Sequence, residues 1–222
     1  MDKLEKRMLI YARLFDVPDR VAGWGNLPAV IDFYARRENL DPFLLRTLLS
    51  VESRGSGKLE DGRPKILFEG HIFWRELSCA GINPQDTVGY NTVLYPSWTK
   101  SFYIGGSGEY ARLKSAIDMG GLETDFFSCA LSSVSWGSFQ LMGFNFLSYG
   151  YSTIEDFVLA ILRGGTFELE ALLRFLNTHG MMGDLKAHRW ESFARQYNGP
   201  KHYLNNYVEK LMTAYDDQLR SF

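Results

Sequence analysis

Residues 126–154 carry no charged side chain, and such a stretch must be buried, cross a membrane or line a groove. Seven serines, three glycines, Gln140 and Asn145 make it too polar for hydrocarbon, and no run of about 20 residues in it is predominantly apolar. The remaining reading is a buried central segment that also lines a groove. Everything else in the chain must then wrap around it.

The rest of the sequence is built for that. Its 222 residues suffice for one domain with decorations. Lys and Arg number 24 against 26 Asp and Glu, so the net charge is −2. That balance lacks the basic excess of a nucleic-acid binder and gives no strong adhesion to anionic membranes. Cys79 and Cys129 have no metal-ligand spacing, and both are expected to be free and buried, with a single disulfide as the alternative. The apolar run Met8–Ala12 ends at Arg13, too short for a signal-peptide core.

Periodicity predicts a mainly α chain. Leu4, Met8, Tyr11 and Phe15 mark the apolar face of a first helix, broken by Pro18 and Gly23-Trp24-Gly25-Asn26. A second helix follows Pro28 to Glu38-Asn39. Residues 1–28 are too few for a domain of their own and are expected to pack as a helical extension on a main domain over 29–222. Asp61-Gly62 between Leu59-Glu60 and Lys65–Phe68 predicts a small β-hairpin. A helix is expected over 71–77, and an ordered, aromatic-rich loop over 84–108, with Tyr90, Tyr95, Trp98, Phe102 and Tyr103. Ser152-Thr153-Ile154-Glu155 reads as a capping box, with further helices over 167–178, 184–196 and 203–220.

The helix that matters most runs from Asp41-Pro42 to Val51-Glu52-Ser53-Arg54-Gly55-Ser56-Gly57. Asp41 can cap it, Pro42 suits its first turn, and the glycines end it. Leu44, Leu48 and Glu52 share one face at i, i+4, i+8, so a carboxylate lies on an apolar stripe at a helix C-terminus. Burial and the helix dipole both disfavour charge there, which raises the pKa as a general acid requires. A solvated Glu at a frayed helix end is the competing reading.

Other chemistries lack their residues. His71, His179, His188 and His202 are scattered without metal-binding spacing. No nucleophile elbow surrounds Ser135 or Ser138, and no phosphate-cradling glycine loop precedes a helix in a βαβ unit. No metal or cofactor is expected. Carboxylate acid–base chemistry is left, with Glu69 at the hairpin exit as a partner for Glu52, the equipment of a glycosidase. Two stretches suit the walls of a groove: Ser135–Gly143, where Gln140 can donate and accept hydrogen bonds, and Tyr197-Asn198-Gly199-Pro200. Trp136, Phe139 and Met142 equally fit a core, and Asn198-Gly199 a helix cap.

In order, the motifs are Val51–Gly57, Arg63-Pro64-Lys65-Ile66-Leu67-Phe68-Glu69, Ser135-Trp136-Gly137-x-Phe139-Gln140-Leu141-Met142-Gly143-Phe144-Asn145 and Phe193-Ala194-x-x-Tyr197-Asn198-Gly199-Pro200. Gly105-Gly106-Ser107-x-Glu109-Tyr110-x-Arg112-Leu113 and Tyr207-x-x-Lys210-Leu211-x-x-Ala214-Tyr215 extend the string, which spans about residues 30–218. This string resembles the N-acetylmuramidase family of phage endolysins and related bacterial proteins, within the lysozyme-like superfamily. Two places depart from the family pattern: Phe-Glu-Arg-His reads Phe68-Glu69-Gly70-His71, and the stretch Tyr95-Pro96-Ser97-Trp98 fits poorly.

The resemblance implies a lysozyme-like helical domain with one small β-hairpin beside the catalytic helix. It implies cleavage of the β-1,4 bond between N-acetylmuramic acid and N-acetylglucosamine, with Glu52 as catalytic acid and Glu69 as the second acidic position. Ser53, His71, Ser135, Gln140, Tyr197 and Asn198 would line the substrate groove. The implied partner is the peptidoglycan glycan strand, with no nucleic acid and no stable membrane insertion, and with the chain acting as a monomer. Such a protein would be made in the bacterial cytoplasm and reach the periplasm or wall by holin-type or secretion-system delivery, in the second case facing an immunity protein. A lytic transglycosylase and a non-catalytic peptidoglycan-binding protein on the same scaffold stay open as alternatives.

Overall fold

The computed structural model describes residues 1–16, 27–53, 57–87 and 92–221, with side chains of 27–29 and 53 left aside. The expected helix breaks at Pro18 and Gly23–Asn26, the Arg54-Gly55-Ser56 stop, Tyr90 and the side chain of Ser53 lie outside the described residues.

Eleven helices and a three-stranded antiparallel sheet account for the described chain. The helices are α1 Lys3–Phe15, α2 Leu27–Arg37, α3 Pro42–Ser53, α4 Gly70–Cys79, α5 Gly108–Asp118 and α6 Asp125–Ser132, then α7 Ile154–Ile161, α8 Gly165–Thr178, α9 Met182–Lys186, α10 Trp190–Tyr197 and α11 Tyr207–Arg220. The strands are β1 Ile66–Phe68, β2 Val134–Trp136 and β3 Leu141–Met142. None of the described helices is long and apolar enough to cross a membrane.

The uncharged segment is the centre of the molecule. It supplies most of α6, all of β2 and β3 and the approach to α7, and Phe127, Ala130, Leu131, Val134, Trp136 and Phe139 are all fully buried. α6 packs against α4, α5 and α7, so its neighbours cover it from several sides. Each such large apolar side chain contributes on the order of 1.5–3 kcal/mol by leaving water.

The sheet differs from the expected hairpin. The chain does turn at Asp61-Gly62, with Leu59 N–H donating to Arg63 O at 2.9 Å, but only a bridge joins Lys58 to Pro64. The ladder partner of β1 is β2, with Ile66 opposite Trp136, Leu67 opposite Ser135 and Phe68 opposite Val134. β3 continues it with Ser135 opposite Met142 and Trp136 opposite Leu141. Apolar side chains of β1 and β2 thereby face the core, a gain a local two-stranded turn cannot provide.

Other expectations need correction. The buried face of α1 is Arg7, Ile10 and Leu14, while Leu4 and Met8 are exposed. Arg7 decides this: its guanidinium pairs with buried Glu155 at 2.9 Å and donates to Leu122 O, Thr124 O and Ser128 Oγ. Glu155 therefore faces inward and closes no capping box; Thr153 caps α7 by accepting from Asp156 N–H. The single helix expected over 184–196 is two, α9 and α10, because His188 takes a positive φ of 53° between them. Cys129 is free and buried, but Cys79 is exposed at the end of α4.

Candidate active site

Glu52 sits one residue before the end of α3, and the local sequence puts it there. Asp41 caps the helix by accepting from Phe43 N–H at 2.9 Å, and Leu44 and Leu48 anchor the shared face in the core. α11 lies along α3 and grips it at both ends. Tyr215 donates to the capping Asp41 at 2.8 Å, and Tyr207 donates to Glu52 Oε1. Burial pushes the Glu52 carboxyl up to about 7, against the lowering effects of the Tyr207 hydroxyl and the Lys210 charge. The carboxyl thus keeps its proton over a range in which an ordinary Glu has lost it.

Glu69 is held in a different way. It follows β1 and stands at the N-cap of α4, with its N–H donating to Ser133 O at 2.9 Å and its carbonyl accepting from Phe73 N–H at 2.9 Å. Its carboxylate accepts from the Tyr103 hydroxyl at 2.6 Å and faces His71 Nδ1 at 3.4 Å. The backbone on either side is fixed, so the side chain starts from a defined point.

The β2–β3 turn, Gly137–Gln140, has contacts that lead toward both. Gly137 has φ +71°, and a side chain there would run into Glu168, 2.4 Å from its Oε1. Glu168 on α8 is fully buried and accepts from Phe139 N–H at 2.7 Å; burial pushes it up to about 8. The carbonyl of the same Phe139 accepts from the Tyr197 hydroxyl at 3.1 Å. Tyr197 stacks on Tyr207 with the ring planes 15° apart, which brings the turn to the partner of Glu52. On the other side, Gly137 N–H donates to Lys65 O and Lys65 N–H to Gly57 O, both at 2.7 Å. A single run of contacts therefore joins the end of the Glu52 helix, the turn and the strand that delivers Glu69.

The other expected groove residues fall unevenly along this run. Gln140 adopts a positive φ of 48° and is half-buried, its amide donating to Gly137 O at 2.8 Å, so it braces its own turn. Ser135 is nearly buried and donates to Met142 Sδ. Tyr197 is half-buried, and exposed Asn198 caps α10. Trp136 and Phe139 are core, as their apolar character allowed. Sequence reasoning missed the parts played by five residues: Tyr207, Tyr103, Glu168, and the buried pair Glu109 and Arg112, which contact each other at 2.7 Å. Tyr207, Glu109 and Arg112 stood inside recognised motifs, but their partners are distant in sequence. Among the described residues no group of three or more His, Cys, Asp or Glu could hold a metal ion.

Chemically, a protonated carboxyl at one end and an anchored second carboxylate at the other can protonate a leaving oxygen and assist the attack of water. Comparisons with known proteins give the family. The family model described as N-acetylmuramidase matches residues 41–218. The crystal structure of Burkholderia AP3 phage endolysin is similar to this chain with a TM-score of 0.72 and 36% identity, over 87% of this chain and 70% of that one. Comparison with curated proteins gave no match.

Proposed function

This chain belongs to the N-acetylmuramidase family, and on that premise we propose that it hydrolyses the β-1,4 bond between N-acetylmuramic acid and N-acetylglucosamine in bacterial peptidoglycan. At the coarser level it is a peptidoglycan hydrolase of the muramidase class. The observation that carries the finer reading is the carboxyl of Glu52, pushed up to about 7 by burial at the end of α3.

Glu52 donates its proton to the glycosidic oxygen as the bond to the anomeric carbon breaks. The ring passes through an oxocarbenium-like transition state whose positive charge Glu69 opposes. Water then adds hydroxide to the anomeric carbon and releases a proton, and Glu52 regains one before the next cycle. Tyr103 and the fixed backbone keep Glu69 in place, so its charge needs no reorganisation during the step. The wall is the place of action, consistent with an endolysin as structural relative.

Mass spectrometry of fragments released from purified peptidoglycan tests the reaction. Reducing N-acetylmuramic acid ends are expected. Release of 1,6-anhydro ends would assign the chain to the transglycosylases, and release of no fragments would leave a binding protein.

A further inference from the structure

Residues 92–105 are anchored near both ends. Their first and last portions are tied to β1 by the buried pair Glu109–Arg112, whose side chains are at most 2% exposed. Glu109 accepts from Phe68 N–H at 3.1 Å, Ile104 N–H at 2.8 Å and Gly105 N–H at 3.0 Å. Arg112 donates to Phe68 O at 2.8 Å, Thr92 O at 2.8 Å and the Tyr95 hydroxyl at 3.2 Å. The pair thus takes up both backbone groups of Phe68 and fixes each end of the loop to the residue before Glu69. Removing one partner from such a pair leaves a buried charge uncompensated, so the arrangement is expensive to lose.

Position 70 is part of the same construction. A first side-chain carbon there would lie 2.4 Å from the Tyr95 ring and 2.7 Å from Val93 O. Only glycine lets this loop pack against the start of α4. The two departures from the family pattern, Gly70 and the Tyr95–Trp98 stretch, are therefore the two halves of one contact.

What the anchored loop presents is aromatic. Tyr103 donates to Glu69 at 2.6 Å, and Trp98 stands close enough to influence the same hydroxyl. Phe102 packs on Tyr95 with ring centroids 5.0 Å apart. The Lys100 ammonium sits 5.6 Å from the Trp98 ring centroid, yet Trp98 remains 56% exposed. An open indole on a loop whose Tyr103 is bonded to a candidate catalytic carboxylate differs from a stray surface apolar residue.

We propose that Trp98 is a saccharide-binding platform for the glycan strand, held in register with Glu69 through Tyr103 and the Glu109–Arg112 anchor. The C–H face of a pyranose and the methyl of its N-acetyl group are weakly positive and apolar, and they complement the negative face of the indole. The charged Lys100 beside the ring suits a strand that carries lactyl and peptide carboxylates. This assignment rests on the peptidoglycan reading above.

The test is binding of the full-length Glu52→Gln protein to purified peptidoglycan, with and without Trp98→Ala, alongside steady-state kinetics of Trp98→Ala in the active background. Trp98→Ala should weaken binding about fivefold to tenfold and raise KM by a similar factor, with kcat within about twofold, and Trp98→Phe should restore most of the loss. Phe33→Ala, which removes another exposed ring, on α2, serves as control. Unchanged binding in Trp98→Ala, or an equal loss in Phe33→Ala, would overturn the platform. Hydrolysis by Glu52→Gln at close to the wild-type rate would instead count against the catalytic reading of Glu52, and the binding comparison at Trp98 would still stand.

Discussion

Glu52 and Glu69 are the same residue type in opposite settings. Glu52 lies at the last turn of α3, where carbonyls point outward and a dipole ends in negative charge. Glu69 lies at the first turn of α4, where N–H groups are free and the dipole ends in positive charge. Glu52 has one hydroxyl partner and a desolvated carboxyl pushed up to about 7. Glu69 has a tyrosine hydroxyl and a histidine beside it, and both neighbouring backbone groups are pinned. The lesson is that surroundings, more than carboxylate identity, set the two apart: burial at the end of α3 favours the protonated form of Glu52, while Glu69 is held by a tyrosine hydroxyl and a fixed backbone.

The sharpest way to break that division is to neutralise each carboxylate in turn. Glu52→Gln should lower fragment release from peptidoglycan by roughly 10³-fold or more, since it removes the proton donor itself. Glu69→Gln should cost less, roughly 10–10²-fold, because an oriented water and the remaining site still act. Equal losses, or a larger loss at Glu69, would show that the roles are not divided as argued.

The smallest expected effect concerns Glu168, a third carboxyl on the run between the two. It is fully buried and pushed up to about 8. Glu52 and Glu168 both keep protons in the folded chain where the unfolded chain, near 4.5, has lost them. Their contribution to stability is therefore complete below about pH 4.5 and is lost as pH rises through about 7 and 8, at up to about 1.4 kcal/mol per pH unit for each group. Glu168→Gln keeps an acceptor for Phe139 N–H and removes one titration. Thermal unfolding from pH 5 to 9 should then show a shallower fall in Tm for the variant by a few degrees. An identical slope would contradict the protonated state of Glu168.

How much of this was legible in the sequence follows from how local each device is. Asp41-Pro42, Leu44, Leu48 and Glu52 stand within one helix, so cap, stripe and misplaced carboxylate could all be read together. The uncharged stretch announced its burial by composition alone. What pairs across the chain was hidden. β1 shows an Asp-Gly turn on its near side, but its ladder partner is β2. Arg7 is no part of the apolar stripe that periodicity marks, yet Glu155 and the Leu122 and Thr124 carbonyls surround it, and it turns the buried face of α1 away from Leu4 and Met8. Tyr207 reaches Glu52 only because α11 lies along α3. The resemblance implied roles for Glu52 and Glu69, but the contacts that hold the two carboxyls are long-range.

The central claim is that the acid form of Glu52 does the work, and the pH dependence of kcat/KM tests it most directly. With purified peptidoglycan and constant ionic strength, kcat/KM should be level in mildly acidic solution and fall about tenfold per pH unit above about 7, as Glu52 loses its proton. Tyr207→Phe removes a hydrogen bond that lowers this pKa and should move the descending limb to higher pH. A wild-type profile flat from pH 5 to 9, or a limb that Tyr207→Phe leaves in place, would contradict the assignment.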